Sequence, residues 1–189
     1  WLDGFLQFHP ARFGLINSPA PGGKLAWSMQ ANSGWSGGAV RYRGLSAHGP
    51  HVALHYAVGP TAITESPWFD DTNGRRVLTR DLHLAANDQP LRLHLGRATG
   101  AQSAPQLDGA DIVFIERDAD TLVVAARVAG PEPLGGVQWE IAADGQLSLV
   151  LEPQSSDRQL AVQYAVVKSD ERTAVASAMR RRIPADATR

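Results

Sequence analysis

Val137-Gln138-Trp139-Glu140-Ile141, then Ala142-Ala143-Asp144-Gly145, then Gln146-Leu147-Ser148-Leu149-Val150-Leu151 is the stretch whose reading decides the fold. Apolar and polar residues alternate on both sides of Asp144-Gly145, and Asp-Gly between two alternating runs is the strongest short-range mark of a β-hairpin. The pattern recurs on working outward. Residues 111–116 and 121–128 alternate around the polar tip 117–120, and residues 52–58 turn at Gly59-Pro60 into residues 61–65. Residues 75–84 and 91–95 lie between these hairpins, separated by residues 85–90. In the second of them Leu91, Leu93 and Leu95 share one face and Arg92 and His94 the other, which sets its register. Residues 160–167 add a late strand. Only residues 171–182 read as a helix, alanine-containing and closed by Arg180-Arg181-Arg182, cations suited to the negative end of the helix dipole.

Strands at spacings of about ten residues, with turn chemistry between them and no amphipathic helices, argue for antiparallel sheets. The expected fold is all-β, an antiparallel β-sandwich of jelly-roll or lectin-like type with a short C-terminal helix. The sandwich is expected over residues 1–170, with helix and linker over 171–189. A chain of 189 residues buries about two-thirds to three-quarters of its unfolded surface, enough for one substantial core. Residues 18–23 and 33–38 read as loops, and no internal repeat is present.

Composition removes several functions. Eighteen basic and 19 acidic side chains leave a net charge of -1, so no long-range field draws in phosphate backbones or anionic lipid. Nucleic acid and membrane insertion are set aside as partners, the latter because no apolar run reaches the roughly 18 residues that span a bilayer. Cysteine is absent, which excludes disulfides, thiolate metal sites and the C-x-x-C-H attachment of c-type haem. No cofactor is expected in this chain.

Binding is expected at aromatic residues, whose faces stack on sugar rings while neighbouring polar groups take the hydroxyls. Trp27, Trp35 and Trp68 read as lying in or beside loops, and Trp68-Phe69-Asp70-Asp71 is the best single candidate. The candidate ligand-binding set is Trp35, Arg43, Trp68, Asp70 and Asp71, against the alternative that the tryptophans simply fill the core, as Trp1 and Trp139 are expected to. Glu65, Asp70, Asp71 and Glu140 are the carboxylates available to a glycan-active enzyme, which needs two of them across a cleft. No catalytic residue is assigned. His51 and His55 share a strand face about 13 Å apart, too far for one metal. His48, His51 and Glu65 form the one weak metal-ligand set. Ser33-Gly34-Trp35-Ser36-Gly37 lacks the strand and helix that a nucleophile elbow needs.

Several motifs, in order, resemble a known domain. Trp1-Leu2-Asp3-Gly4-Phe5-Leu6, Arg41-Tyr42-Arg43-Gly44 with His48-Gly49, the run Val52 to Gly59, Arg76-Val77-Leu78-Thr79-Arg80 and Gln89-Pro90-Leu91 are similar to segments of one family. That family is the uncharacterised N-terminal β domain of large bacterial proteins carrying a sorbosone or glucose dehydrogenase-like propeller and a c-type cytochrome domain. The resemblance covers roughly residues 1–95. It implies a periplasmic or extracellular accessory module of a carbohydrate-related redox protein, with further sequence before Trp1. Haem binding and dehydrogenase chemistry do not carry over, since neither C-x-x-C-H nor room for a propeller is present, and Asp3 stands where the pattern has glycine. The expected function is therefore a non-catalytic module that binds carbohydrate or packs on other domains of its parent. The alternative is a lectin-like β-sandwich enzyme using loop carboxylates.

Overall fold

The computed structural model describes residues 34–48, 51–72, 75–97, 105–117, 120–128 and 135–181. Twelve strands are present among them: β1 (Gly34–Ser36), β2 (Val40–His48), β3 (His51–Val58), β4 (Thr61–Thr72), β5 (Arg75–Leu84), β6 (Leu91–Arg97), β7 (Gln106–Asp108), β8 (Ile112–Arg117), β9 (Asp120–Val128), β10 (Val137–Ile141), β11 (Gln146–Leu151) and β12 (Arg158–Lys168). They form a narrow sheet in the order β1-β6-β11-β10 and a wide one in the order β2-β3-β4-β5-β12-β9-β8-β7, all pairs antiparallel. A turn of 3-10 helix (Ser169–Glu171) leads into α1 (Arg172–Arg181). The all-β sandwich with one C-terminal helix is as the alternation indicates.

The Asp144-Gly145 hairpin joins β10 to β11. Gly145 takes a φ of 80°, a left-handed conformation that glycine adopts without penalty, and its N–H donates to the Ala142 carbonyl at 2.9 Å. The Asp144 carboxylate accepts from the Gln146 N–H at 3.1 Å, which is why Asp and Gly are wanted here.

The core lies between the two sheets. The narrow sheet contributes Leu91, Leu93, Leu95, Val137, Leu147, Leu149 and Leu151, and the wide sheet answers with Ile63, Leu78, Leu82, Leu84, Val113, Ile115, Leu160 and Val162. Across the narrow sheet one register row reads Trp35, Leu93, Leu149, Trp139. Two leucines fill its centre and a tryptophan closes each end. Each indole N–H reaches toward the wide sheet: Trp35 donates to the Tyr56 hydroxyl on β3 at 2.8 Å, and Trp139 to the Ala110 carbonyl between β7 and β8 at 3.1 Å. The two tryptophans thus clamp the narrow sheet at both edges.

A second apolar layer covers the outer face of the wide sheet, where Val175, Ala176 and Met179 of α1 bury against Val77, Ile112, Phe114, Val123, Ala165 and Val167. Ion pairs hold the helix at both ends, Arg172 to Glu116 and Arg180 to Asp111 at 3.2 Å. Arg180 therefore ties the last turn of α1 to Asp108 and Asp111 on either side of the β7–β8 turn.

Three sequence expectations change. Residues 34–36 are strand β1, because cross-strand pairing with Arg92 to His94 recruits a segment whose glycines read as loop. Residues 40–48, read only as turn motifs, form β2. The strand expected to stop at Glu65 continues to Thr72, through Pro67. Past Glu65 β3 no longer pairs with β4, so a residue lacking an N–H is tolerated there. Residues 18–23 and the first motif at Trp1 lie outside the described residues.

Candidate functional site

Alternation on β3, β4, β5 and β12 decides which polar groups enter the core. Tyr56, Glu65, Arg80 and Tyr164 occupy inward positions between Val58, Ile63, Leu78, Leu82 and Val162. They form one chain of hydrogen bonds. The Trp35 N–H donates to the Tyr56 oxygen at 2.8 Å, and the Tyr56 hydroxyl donates to Glu65 Oε2 at 2.7 Å. Arg80 donates from Nε to Oε1 at 2.7 Å and from a terminal nitrogen to Oε2 at 3.0 Å, and it also bonds Tyr164. This fork on a carboxylate is the strong, geometrically specific form of the pair.

Burial alone would raise the Glu65 pKa, but the adjacent Arg80 guanidinium and the bonds from Arg80 and Tyr56 hold it below the usual carboxylate range. Burial, followed by the Glu65 charge, pushes the Tyr56 phenol well above its ordinary value. Both Glu65 oxygens are taken. The group is an anchor for β4 and β5 and is not positioned as a general base.

Two histidines on outer faces are each held between hydroxyls of neighbouring strands. His55 meets Ser46 at 2.9 Å and Thr64 at 3.2 Å, and His94 meets Ser36 at 3.0 Å and Ser148 at 2.8 Å. Burial and then Arg92 lower the His94 pKa, while Glu140 pulls it the other way. Arg92 and Glu140 pair at 3.0 Å beside it.

Acid should therefore weaken this fold in two stages. An imidazole lowered in the fold stays neutral while the unfolded chain takes a proton, so the His94 contribution begins to drain as pH falls through about 6.5. A carboxyl lowered in the fold contributes stability that is complete above about pH 4.3 and is lost as pH falls through its folded value. Melting curves across this range should show both losses, and His94→Asn should remove part of the first. Identical pH profiles for that variant and the parent would show that the His94 shift has no weight.

The residues singled out in the sequence do not converge. Trp68 stands on β4, half-buried on the outer face of the wide sheet, with its N–H on the Asp81 carboxylate. Trp35 faces the opposite way, into the core, and Arg43 lies exposed on β2. Neither Trp35 nor Trp68 is in a loop. Alternation along a continuous strand, not turn chemistry, places them. Asp70 and Asp71 are on β4 opposite Val77 and Arg76, and their side chains lie outside the described residues, as do Trp27 and Trp1. His48 and His51 end the β2–β3 hairpin opposite each other, whereas Glu65 is committed to Arg80 inside the sandwich. Glu65 faces inward and Glu140 outward beside Arg92, so these two carboxylates share no cleft. Among the described residues no group of three metal-ligating side chains is present.

Sequence reading missed the internal network, although its signal is legible. Leu78, Arg80, Leu82 and Leu84 share one phase, and so do Ile63 and Glu65. Opposite charges in core phase on two neighbouring strands mark a buried pair.

Among the described residues, part of the wide sheet's inner face is left uncovered. At about 4.8 Å per gap, eight strands span about 34 Å and four span about 14 Å, so the wide sheet extends past the narrow one. β1 sits over β3, as the Trp35–Tyr56 bond shows, and the chain then crosses against the β3–β4 turn at Gly38. A side chain at Gly38 would lie 2.6 Å from the Gly59 nitrogen, so glycine permits the crossing. β2 is left beyond the narrow sheet. Its inward residues Val40, Tyr42 and Leu45, in register with Val58, Tyr56 and Leu54, are 54, 54 and 44% exposed. An open depression lined by Pro60, Asn87, Asp88, Pro153 and Gln154 lies at another corner. Compared with protein-family models and curated proteins, the chain matches none.

Proposed function

We propose that this chain is a non-catalytic β-sandwich module that packs on another domain of a larger, exported bacterial protein through the uncovered end of its wide sheet. The observation that carries this reading is the row Val40, Tyr42, Leu45, apolar and in core phase yet exposed. A contiguous apolar strip left open on a sandwich face is characteristic of an interaction surface. The resemblance to an accessory domain of sorbosone or glucose dehydrogenase-like proteins supports the same role and a periplasmic or extracellular setting.

Carbohydrate is the second reading. It too falls on β2, since Tyr42 is an exposed aromatic beside Arg43. Trp35 and Trp139 are packed on the core, so β2 offers the more open stacking face. An enzyme acting through loop carboxylates has less behind it, because Glu65 is bonded at both oxygens and Glu140 is paired.

The docking reading is tested on the chain itself. Tyr42→Ser and Leu45→Ser should each leave the unfolding free energy within about 0.5 kcal/mol of the parent, as substitutions at exposed positions do. In the full-length protein that carries the module, a photo-reactive residue at position 42 should cross-link to another domain. A loss of 2 kcal/mol or more in the isolated chain, roughly that of a core deletion, would mean that the strip is already covered within it. Retention of the chain on a glycan array, abolished by Tyr42→Ala, would replace docking by carbohydrate binding.

A further inference from the structure

We infer that Ser36 is an acyl-accepting serine, which attacks an activated carboxylic ester while His94 takes its proton. The inference is independent of the docking reading, and a serine that keeps its acyl group leaves the module without turnover.

Strand parity places the groups. Trp35 packs on the core, so Ser36 at the end of β1 lies on the outer face of the narrow sheet. Leu93 and Leu149 are core residues too, which puts His94 of β6 and Ser148 of β11 on that same outer face. Ser36 Oγ is 3.0 Å from His94 Nε2, and His94 Nδ1 is 2.8 Å from Ser148 Oγ. A hydroxyl, an imidazole and a group that orients the imidazole, each within hydrogen-bond reach of the next, are the parts of an activated nucleophile. The strand that Ser33-Gly34-Trp35-Ser36-Gly37 lacks by sequence comes from pairing with β6, and the base comes from 58 positions along the chain.

The surrounding charges suit a proton transfer from Ser36. Burial, then Arg92, lowers the His94 pKa, so the ring is neutral at pH 7. With its proton on Nδ1 and donated to Ser148, Nε2 accepts from Ser36. Ser148, 2% exposed, is a positioning residue. Glu140 stands opposite Ser148 and offsets the charge that His94 gains. Arg92 stands opposite Ser36 and sets a positive charge beside the attacked carbonyl, whose oxygen becomes anionic. The Arg92 and Glu140 side chains are 49 and 44% exposed, so a reactant can reach this face. The chain leaves Ser36 through Gly37 and Gly38, which put no side chain over the hydroxyl.

In the step, Ser36 Oγ bonds to the carbonyl carbon and its proton passes to His94 Nε2. The bond to the leaving oxygen then breaks, and that oxygen takes the proton from His94, which gives an acyl-serine and a free alcohol or phenol. Ser46, His55 and Thr64 form a similar chain on the wide sheet, at 2.9 and 3.2 Å. There the residue opposite Thr64 is His83, where Ser148 has Glu140, so a charged His55 gains no carboxylate from that position.

The test treats the chain with p-nitrophenyl acetate and locates the acetyl group by peptide mass spectrometry. A stoichiometric burst of p-nitrophenol should appear, with the acetyl group on Ser36. Ser36→Ala should abolish the burst, and His94→Asn should slow it by about 100-fold or more. Ser148→Ala should slow it, and Ser148→Thr, which keeps the hydroxyl, should restore it. A second measurement uses Ser36→Cys, the one thiol in an otherwise cysteine-free chain. A thiol beside His94 should react with iodoacetamide about tenfold faster in the folded chain than in urea. No burst, a burst that survives Ser36→Ala, acetylation of Ser46 in place of Ser36, or equal alkylation rates in the two states would each overturn the inference, and none of them touches the docking reading.

Discussion

Arg80→Met should lower the free energy of unfolding by about 3–5 kcal/mol, the usual consequence of removing one partner of a buried ion pair. For a chain of this size that is a fall in melting temperature of about 10 °C. Glu65 would remain in the core with only the Tyr56 hydroxyl, and its carboxyl would be driven toward the neutral form. The loss should therefore shrink in acid, where Glu65 is protonated in either background. Adding Glu65→Leu should recover more than half of it, because an apolar pair of similar volume avoids the desolvation that the ion pair has to offset. Urea denaturation of the parent, both single variants and the double variant closes the cycle. Additive losses in the double variant would show that Glu65 and Arg80 act independently, and the anchor role would be wrong.

Leu93→Ala carries the second large effect, about 2–5 kcal/mol. Leu93 is fully buried and stands between Trp35 and Leu149 in the central row of the narrow sheet. The narrow sheet is fixed to the wide one by this row and the clamps at its ends, so the cavity has no flexible neighbour to fill it. Leu149→Ala should cost a similar amount, and the two together should depart from additivity because they share one cavity. Thermal melts measure both. A change below 1 kcal/mol for Leu93→Ala would mean that the sheets close over the gap, and that packing between them is looser than this arrangement implies.

The fold was legible wherever local chemistry and period agreed. The Asp144-Gly145 hairpin, the 121–128 strand and the leucine alternation of residues 91–95 all state their structure in the residues themselves, because turn dihedrals and alternating faces are local properties. β1 was not legible. Gly34-Trp35-Ser36 is only three residues long and only Trp35 favours a strand, so pairing with β6 is what makes it one. The extension of β4 through Pro67 was hidden for the same reason, since tolerance of proline depends on which neighbour flanks that residue.

Candidate sites were less legible than strands. Trp35 and Trp68 have similar polar neighbours in sequence, yet one faces the core and the other faces outward, bonded to Asp81. Parity along a strand distinguishes them, and for Trp35 the strand itself had to be formed first. The Glu65–Arg80 pair could have been read from phase alone, as charges in leucine positions. The opposite holds for Val40, Tyr42 and Leu45. Nothing local separates them from ordinary buried residues, and their exposure follows from the relative widths of two sheets.

By itself, then, the sequence determined that the chain is an antiparallel β-sandwich made of hairpins with a helix at its end, since alternation and turn residues act over a few positions. The tertiary structure alone decided which strands share a sheet, and that the wide sheet outruns the narrow one. Sheet width depends on pairing between residues far apart in the chain, and that pairing leaves Val40, Tyr42 and Leu45 of β2 exposed.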